Sequence, residues 1–415
     1  MRLRIHRGTK EIGGTCIEIE AEGERIALDV GLPLDAPDEG QEELLPEVPG
    51  FREPDDSLLG VVISHPHQDH YGLARHIRPE VPVWIGKEAN AIMAAASAYV
   101  PGGHAFADPN FIADRAPVEI GPFRITPYLV DHSAFDAYAL LVEADGKRVF
   151  YSGDFRAHGR KKALFEAMVR RPPRDLDVLL MEGTTIGRTG TSEGFATETD
   201  LEREFVQAFR ATAGIHFVWT SSQNIDRLVT IFRAAKRTGR VLLIDLYTAV
   251  VLEATGRDTI PQSDWDAVRL YIPHSQRVYI KKNELFDDLE RHKANRIFPE
   301  DLPGLRERAV MLFRPMMMRD RAVGDVLEGA GLTYSMWEGY LKETSVQRVV
   351  TWLKQHDIPW RVIHTSGHAS AVDLRRFAAA LAPRTLVPIH SFETARFAEF
   401  FANVVQKEDG VWWEV

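Results

Sequence analysis

One six-residue segment, His65-Pro66-His67-Gln68-Asp69-His70, concentrates side chains that can bind a transition metal. It follows the apolar run from Leu58 to Ile63, which is typical of a buried strand, so the donors lie where that strand ends and a helix begins. His65 and His67 can point the same way from an extended segment, whereas Asp69 and His70 open the next turn. Nitrogen and oxygen donors on two sides of a small volume favour a pair of adjacent metal sites.

Three more donors occupy equivalent positions further along the chain. His132, Asp154 and His390 each stand directly after an apolar stretch that predicts a strand. A lone histidine is more often a hydrogen-bonded structural residue than a ligand. Repeated placement at strand ends favours the ligand interpretation, because loops assemble sites at that edge of a sheet.

The elements that position these donors change in character along the chain. Short strand patterns separated by turns fill the first third of the chain, and further strand candidates include Phe123 to Leu129 and Val178 to Met181. From Thr197, helix and strand patterns alternate, which predicts a parallel sheet with helical cover. Residues 361–388 then resume a strand, helix and strand pattern.

With these positions the sequence resembles the metallo-β-lactamase superfamily, whose signature is matched by His65-x-His67-x-Asp69-His70 with His132 and Asp154 as later ligands. Three downstream segments resemble motifs A, B and C of its β-CASP branch, and in particular the ribonuclease J family. These segments are Leu180 to Thr185, His364 to Ser370, and Val387 to His390.

The resemblance implies the fold and the division of the chain. We expect an α/β protein, an αββα metallo-β-lactamase sandwich with an inserted α/β β-CASP domain. The expected limits are residues 1–196 for the first part of the sandwich, 197–355 for the insert and 356–415 for the returning part.

The resemblance also implies ligands for two metal ions. Two Zn²⁺ ions are expected, and Mn²⁺ would also accept this donor set. One ion would be held by three histidines, the other by a mixed group of three, and one carboxylate would bridge the two. The three sets are His65, His67 and His132 for the first ion; Asp69, His70 and His390 for the second; and Asp154 as the bridge.

The implied reaction is hydrolysis of phosphodiester bonds in single-stranded RNA by a metal-bridging hydroxide, leaving 5′-phosphate and 3′-hydroxyl ends. A histidine at motif C, here His390, goes with RNA substrates in this branch, so DNA is the less favoured polymer. Asp69, His368 and Glu182 are the expected catalytic residues. His368 would act as general acid or as a donor to the phosphate, and Glu182 would orient a ligand histidine. A loop or helix-capping carboxylate is the alternative for Glu182.

A pocket for a terminal phosphate is a further hypothesis. It would be formed by Ser222, Ser366, Gly367 and Ser370, and it would favour 5′-to-3′ exonucleolytic trimming. Turn serines that satisfy local backbone groups are an equally weighted alternative.

Composition limits the partners and the compartment. The 415-residue chain has a formal net charge of −10, so contact with RNA would need a local basic patch. The best candidate is the cluster Arg156, Arg160, Lys161 and Lys162. The single cysteine, Cys16, excludes an internal disulfide and is expected in the core. No apolar run is long enough for a bilayer and no export signal is seen, so we expect a cytoplasmic protein without a membrane partner.

Three further functions are also compatible with the sequence. The acidic charge favours a small-molecule hydrolase of the same superfamily, acting on a phosphodiester, thioester or lactone. A DNA nuclease is a second possibility, and a catalytically silent scaffold in an RNA-processing complex is a third. The sequence ends soon after motif C, so we expect no counterpart of the C-terminal domain of the ribonuclease J family, and an oligomer stays open.

Overall fold

The computed structural model describes residues 1–188 and 193–415. This part of the chain divides into two compact units, of which the first comprises Met1–Phe195 with Gly367–Val415 and the second comprises Ala196–Ser366. A strand at Trp360–Val362 pairs with one at Gly331–Tyr334 inside the second unit. The second unit therefore extends beyond the predicted limit at residue 355.

The elements are numbered in chain order. The strands are β1 (Arg2–Arg7), β2 (Cys16–Ala21), β3 (Glu24–Leu28), β4 (Leu58–Val62), β5 (Val83–Gly86), β6 (Asn110–Ile112), β7 (Val118–Ile120), β8 (Phe123–Leu129), β9 (Tyr138–Ala144), β10 (Lys147–Tyr151), β11 (Val178–Glu182), β12 (His216–Trp219), β13 (Val241–Ile244), β14 (Val268–Tyr271), β15 (Arg296–Ile297), β16 (Ala309–Leu312), β17 (Gly331–Tyr334), β18 (Trp360–Val362), β19 (Thr385–Ile389) and β20 (Trp412–Glu414). The α-helices are α1 (Gln68–Tyr71), α2 (Lys87–Ser97), α3 (Lys162–Arg170), α4 (Glu198–Ala211), α5 (Ile225–Arg237), α6 (Leu246–Ala254), α7 (His274–Lys282), α8 (Phe286–His292), α9 (Leu302–Leu305), α10 (Arg321–Gly324), α11 (Thr344–Gln355) and α12 (Ala371–Leu381).

Two sheets form the centre of the first unit. One has the order β20-β1-β2-β3-β4-β5-β6 and the other β19-β11-β10-β9-β8-β7. Strands β3, β4, β5 and β6 run parallel to one another, and so do β10, β11 and β19. Strand β8 has the same direction as β10, because both pair in antiparallel fashion with β9. The C-terminal ends of these strands therefore share one edge of their sheet.

The core of the first unit fixes this arrangement. Alternate residues of β1 and β2, such as Leu3 and Ile17, point into one apolar layer shared with Leu140 and Val149 of the other sheet. A second cluster packs α3 and α12 on the outer face of the second sheet, and a third packs α1 and α2 on the outer face of the first. The result is the αββα sandwich that the resemblance implies.

The second unit is built on one parallel sheet with the order β15-β14-β13-β16-β12-β17-β18. Its apolar core includes Phe217, Met311 and Leu332 from three adjacent strands. Helix α4 begins at a capping box in which Thr197 and Asp200 exchange hydrogen bonds. The helix-and-strand alternation from Thr197 therefore predicts the sheet type correctly.

Two further expectations can be compared with the structure. None of the described helices is long and apolar enough to cross a bilayer. Cys16 is fully buried in the core, as expected, and burial raises the pKa of its thiol far above the ordinary value.

A buried carboxylate ties the first sheet together at Glu18 of β2. It accepts hydrogen bonds from Arg4 Nη2 at 2.6 Å, from His6 Nε2 at 2.8 Å, and from Arg25. Burial by itself would raise the pKa of Glu18, but the bonds from His6, Arg25 and Arg4 outweigh it and lower the pKa to about 2. Glu18 therefore stays ionised and joins three strand positions.

We predict that Glu18→Gln destabilises the protein by about 3–5 kcal/mol at neutral pH, because it leaves buried cations without their counter-charge. The folded-state pKa lies below the ordinary 4.5, so this stability is present above pH 4.5 and lost as the pH falls toward 2. Urea unfolding at several pH values measures the difference. The control is Glu20→Gln on the same strand, whose ion pair with Arg2 is partly exposed and should contribute under about 1 kcal/mol. Equal losses in both variants would contradict the prediction.

Candidate metal centre

The candidate ligands of the first unit project from strand ends at one edge. His65 follows β4, His132 follows β8, Asp154 follows β10 and His390 follows β19. This edge is shared because the four strands run in the same direction within their sheets, so their C-terminal loops converge. Strand direction thus brings together residues that are up to 325 positions apart in the chain.

The short helix α1 is held against the continuation of β3. Val30 N–H donates to the carbonyl of His70 at 2.8 Å, and Leu32 N–H donates to that of Gln68 at 2.9 Å. Gly31 between them allows this approach, since a Cβ there would lie 1.9 Å from the carbonyl oxygen of Asp69. The backbone that carries Asp69 and His70 is therefore fixed by a close contact that only glycine permits.

The first ligand group consists of His65, His67 and His132. One ring nitrogen from each lies within 4.8 Å of the others. Nε2 of His132 is 3.2 Å from Nδ1 of His67. Burial lowers the pKa values of all three, so they are neutral imidazoles with lone pairs available for a metal.

The second ligand group consists of Asp69, His70, Asp154 and His390, whose donor atoms also lie within 4.8 Å of one another. His70 Nε2 is 3.2 Å from Asp154 Oδ2, and His390 Nε2 is 3.4 Å from Asp69 Oδ2. Asp154 Oδ2 is also 3.8 Å from His65 Nε2 of the first group. Asp154 thus lies between the two groups, where a bridging ligand would be.

These residues fit divalent metal ions because their buried polar atoms lack hydrogen bonds. Six atoms of the candidate ligands make no hydrogen bond with the described residues although solvent does not reach them: His65 Nε2, His70 Nε2, His132 Nδ1, both carboxylate oxygens of Asp154, and His390 Nε2. A buried polar atom left unpaired costs about 1–3 kcal/mol, and more for a charged one. Six at one place call for cations that bind all of them.

The electrostatics of the second group also favour bound positive charge. Burial opposes ionisation of His70, yet Asp154 and Asp29 raise the pKa of its imidazole well above the ordinary value. Burial would raise the pKa of the Asp154 carboxyl, but His390, His70 and His368 hold it well below its usual range. The carboxylates are therefore ionised and attract cations into a buried volume.

Asp29 is a functional residue that the sequence analysis missed. Its Oδ2 lies 2.7 Å from His70 Nδ1 and accepts the hydroxyl protons of Ser64 at 2.7 Å and Tyr151 at 2.5 Å. Ser64 Oγ in turn lies 3.0 Å from Nδ1 of His65. Asp29 therefore orients one ligand of each group and leaves their Nε2 atoms for the metals. Its position directly after β3, at the ligand-bearing edge, is the sequence signal that could have identified it.

His390 is held in an uncommon backbone conformation. Its φ is 50°, in the left-handed region that non-glycine residues rarely adopt. Its N–H donates to the carbonyl of Gly8 at 2.7 Å, and its Nδ1 lies 3.0 Å from the hydroxyl of Thr184. These contacts direct the imidazole toward Asp69 and Asp154, and they offset the cost of the backbone geometry.

Glu182 and His368 form a pair beside the second group. His368 Nδ1 lies 3.3 Å from Glu182 Oε1 and 3.6 Å from Asp154 Oδ2. Burial would lower the pKa of His368, but Glu182 and Asp154 raise it to about 9. Glu182 also accepts from the N–H groups of Phe155 and Thr184. It therefore contacts the predicted proton donor, whereas the sequence analysis expected it to contact a ligand histidine.

The predicted basic patch after Asp154 is wrong at its first residue. Arg156 is fully buried, and its Nε lies 3.3 Å from Asp131 Oδ1. Its guanidinium supports the loop that carries the ligands and cannot follow an RNA backbone at the surface. Arg156 can be buried because the Asp131 carboxylate provides its counter-charge, which position in the sequence does not reveal.

Two members of the predicted terminal-phosphate pocket make local hydrogen bonds. Ser370 caps α12, accepting from the N–H of Asp373 at 3.2 Å. Ser222 lies in the second unit, with its hydroxyl 2.8 Å from that of Thr248 and bonded to Arg314. A pocket formed by these serines with Ser366 and Gly367 stays a prediction.

Comparison with known proteins agrees with this geometry. The family model described as beta-lactamase superfamily domain matches residues 36–220. Residues 36–220 are therefore similar to the β-lactamase superfamily domain. That match covers the segment from His65 to Asp154, and it accounts for the αββα sandwich and for a site suited to divalent metals. His390 lies outside the matched range, in the part of the chain that returns to the first unit.

Similar proteins extend the comparison beyond that domain. Ribonuclease J of Helicobacter pylori strain 26695 is 22% identical over 397 residues, covering 92% of this chain and 55% of that protein. Ribonuclease J of Mycoplasma pneumoniae is 24% identical over 402 residues, covering 92% of this chain and 66% of that protein. The chain thus spans about half the length of the Helicobacter relative it matches. The resemblance to the β-CASP branch is consistent with these matches.

A solved structure shares the fold along nearly the whole chain. A crystal structure of a protein of unknown function from Enterococcus faecalis V583 matches with a TM-score of 0.80 and 22% identity, covering 99% of both chains. The likeness extends to the second unit, which lies mostly outside the β-lactamase superfamily match.

We predict that Asp29→Asn lowers metal affinity by about 10- to 100-fold, because the amide no longer accepts equally well from His70 and Ser64. Competition with a chromophoric chelator, followed by elemental analysis, measures this affinity. Asp177→Asn is the matched control, a buried carboxylate that instead accepts from the N–H of Arg148 at 2.9 Å. If both variants keep the affinity of the unaltered protein while remaining folded by circular dichroism, Asp29 does not orient the ligands.

Proposed function

We propose that the chain is a dinuclear metal-dependent phosphodiesterase that hydrolyses single-stranded RNA. The observation that carries this proposal is the position of the buried Asp154 carboxylate between two groups of ligands. A phosphodiester resists attack because its oxygens repel a nucleophile, so two adjacent positive centres suit that substrate better than one.

RNA is favoured as the polymer on two grounds. The Helicobacter and Mycoplasma relatives are ribonucleases by name, and each match covers 92% of this chain. His390 also stands at the motif where, in the β-CASP branch, a histidine accompanies RNA substrates. The single cysteine is buried and forms no disulfide, which fits a reducing compartment such as the cytoplasm. We therefore expect cytoplasmic RNA as the substrate.

Zinc is the ion we expect in both groups, because imidazole nitrogens and carboxylate oxygens are its usual ligands, and manganese would also fit. His65, His67 and His132 would hold one ion, and Asp69, His70 and His390 the other, with Asp154 shared. When bound, the two ions would ionise water and neutralise charge on the phosphate.

The remaining chemistry is assigned to side chains at the accessible side of the cluster. Asp69 is only partly buried, so one of its oxygens can accept the proton that the attacking water loses. Water oxygen forms the new bond to phosphorus, and the bond from phosphorus to the 3′-oxygen breaks. His368, whose side chain is 22% exposed, gives its proton to that leaving oxygen. The products are a 5′-phosphate and a 3′-hydroxyl.

Glu182 acts through His368 as a positioning residue. Its Oε1 contacts His368 Nδ1 at 3.3 Å and so sets the orientation of the ring toward the leaving group. The N–H groups of Phe155 and Thr184 fix the carboxylate in turn. Removal of a terminal nucleotide in the 5′-to-3′ direction is the mode we favour, and it depends on the predicted serine pocket.

A small-molecule ester is the second candidate substrate, favoured by the net charge of −10. An acidic protein repels a polyanion unless a local positive surface compensates. Hydrolysis of RNA by the metal-loaded protein separates the two candidates.

We predict that the metal-loaded protein cleaves 5′-labelled, 5′-monophosphorylated single-stranded RNA faster than the equivalent DNA. His65→Ala should reduce the rate by about 10³-fold or more, since it removes a ligand worth several kcal/mol to the transition state. His356→Ala, an exposed histidine outside the ligand groups, is the matched control and should retain the rate.

The size of the labelled product reports the mode of cleavage. Release of labelled mononucleotide from RNA would support 5′-to-3′ trimming, whereas longer labelled fragments would mean internal cutting. If neither polymer is cut although metal analysis shows two ions per chain, the nuclease proposal fails and small phosphodiesters, thioesters and lactones are tested next.

We predict that His368→Ala lowers the rate on RNA by about 10²- to 10⁴-fold, the usual contribution of a general acid. The loss should be much smaller with a p-nitrophenyl phosphodiester, because p-nitrophenolate departs without a proton. Comparing kcat for the two substrates measures this difference. Equal losses on both would show that His368 stabilises the phosphate and does not protonate the leaving oxygen.

A further inference from the structure

A cavity of about 360 Å³ on the first unit is lined by Arg115, Ala167, Arg170 and Arg171. None of these residues is a candidate metal ligand or a member of the predicted serine pocket. The volume falls within the range of small-ligand sites and admits about one nucleotide. A concave surface with three arginines is unexpected on a protein whose net charge is −10.

One wall of the cavity is a turn fixed to strand β8. Arg115 has φ 56°, and its N–H donates to the carbonyl of Pro127 at 2.7 Å. Asp114 accepts from the N–H of Leu129 at 2.9 Å. The Arg115 guanidinium lies 5.3 Å from the ring centroid of Tyr128. The backbone of Arg115 is thus held by the strand that leads to His132, and its half-exposed guanidinium lies near the Tyr128 ring.

The other wall is the C-terminal end of helix α3. Arg170 Nε donates to the carbonyl of Glu166 at 3.1 Å, and Arg171 follows the last helical residue. The carboxylate of Glu166 is paired with Arg376 at 2.8 Å. Within residues 1–188 and 193–415, no carboxylate forms an ion pair with Arg170 or Arg171. Arg115 has an acidic partner in Asp114, whose carboxylate lies 3.9 Å from Arg115 Nε.

A helix-dipole role accounts for only part of this arrangement. Basic residues in a last helical turn compensate the exposed carbonyl groups. That explanation covers Arg170 and Arg171 but not Arg115, which comes from a different element and faces the same cavity. Among the described residues, only Arg115 of these three arginines has an ion pair with a carboxylate, so the cavity carries positive charge that an anion would neutralise.

We propose that this cavity is a second phosphate site, which binds a backbone phosphate of single-stranded RNA apart from the metal cluster. Guanidinium groups match phosphate oxygens in paired hydrogen bonds, and sites of this kind supply the local attraction that an acidic protein otherwise lacks. The inference rests on the proposed function, because it takes RNA as the ligand. Free nucleotide is the other source of the same phosphate chemistry.

The test is the double variant Arg170→Gln/Arg171→Gln, studied in the metal-loaded 415-residue chain. Fluorescence anisotropy with non-hydrolysable phosphorothioate RNA of 4 and 20 nucleotides gives the affinity at several salt concentrations. We expect the 20-mer to bind about 5- to 10-fold more weakly, with a salt slope smaller by about 0.7 for each phosphate that the variant no longer neutralises. Hydrolysis of a p-nitrophenyl phosphodiester should be unchanged.

The matched control is Lys281→Gln/Lys282→Gln, which removes two adjacent exposed cations from the last turn of α7 in the second unit. It alters net charge and the helix end equally but leaves the arginine cavity intact. The phosphate site is supported if affinity falls only in the arginine variant and only for the 20-mer. Equal affinities in the arginine variant and the unaltered protein, or equal losses in both double variants, would overturn it.

Two further readouts separate the possible failures. Adenosine monophosphate is titrated as a competitor of the bound 20-mer. If it displaces the 20-mer with an inhibition constant equal to the dissociation constant of the 4-mer, the cavity is a site for free nucleotide, and the proposal that it binds the RNA strand is overturned. If the unaltered protein binds the 20-mer but cuts no RNA, the proposed function fails while the anisotropy comparison still decides the cavity. If it cuts RNA and the arginine variant binds normally, only the cavity proposal fails.

Discussion

The buried Asp154 carboxylate is the constraint on which the site depends. Neither of its oxygens accepts a hydrogen bond among the described residues. Ring nitrogens of four histidines lie 3.2–3.8 Å from it: His65, His70, His368 and His390. A buried carboxylate is costly unless it is fully paired, so cations bound at both of its oxygens would remove that cost. Metal ions bound to Asp154 would stabilise the folded state of the ligand-bearing loops. The same ions would supply the positive charge that hydrolysis needs, so stability of the loops and hydrolysis depend on one interaction.

The surrounding fold supplies rigidity at each ligand. Strand ends define where the ligands emerge, the Gly31 contact fixes α1, and Asp29 orients His70 directly and His65 through Ser64. Ionic groups away from the metals serve the same sandwich, as Glu18 does between three strand positions of the first sheet. The side chains of His67, Asp69 and His368 are the partly exposed exceptions. A substrate needs this combination of accessible groups on a framework that does not move.

The composition gives the net charge of the chain, but it does not show where the positive residues lie or which acids pair with them. The net charge of −10 argued against a polyanion as ligand, yet only Arg115 of the three arginines around the cavity at α3 has an ion pair among the described residues. By contrast, Arg156 was predicted as part of a surface patch and is neutralised by Asp131 in the interior. Counting charges along the sequence cannot separate these cases, because the counter-charge comes from elements that are distant in the chain.

The sequence by itself determined the ligand types, their order and the strand pattern that precedes each of them, because these depend on side-chain chemistry and local periodicity. Spacing in His65-x-His67-x-Asp69-His70 is local, and so it was readable without a structure. Only the tertiary structure decided that Asp29 supports both ligand groups, that Glu182 contacts His368, and that residues 356–366 belong to the second unit. Those facts depend on strand direction and register, which bring together side chains whose separation in sequence carries no information about their distance in space.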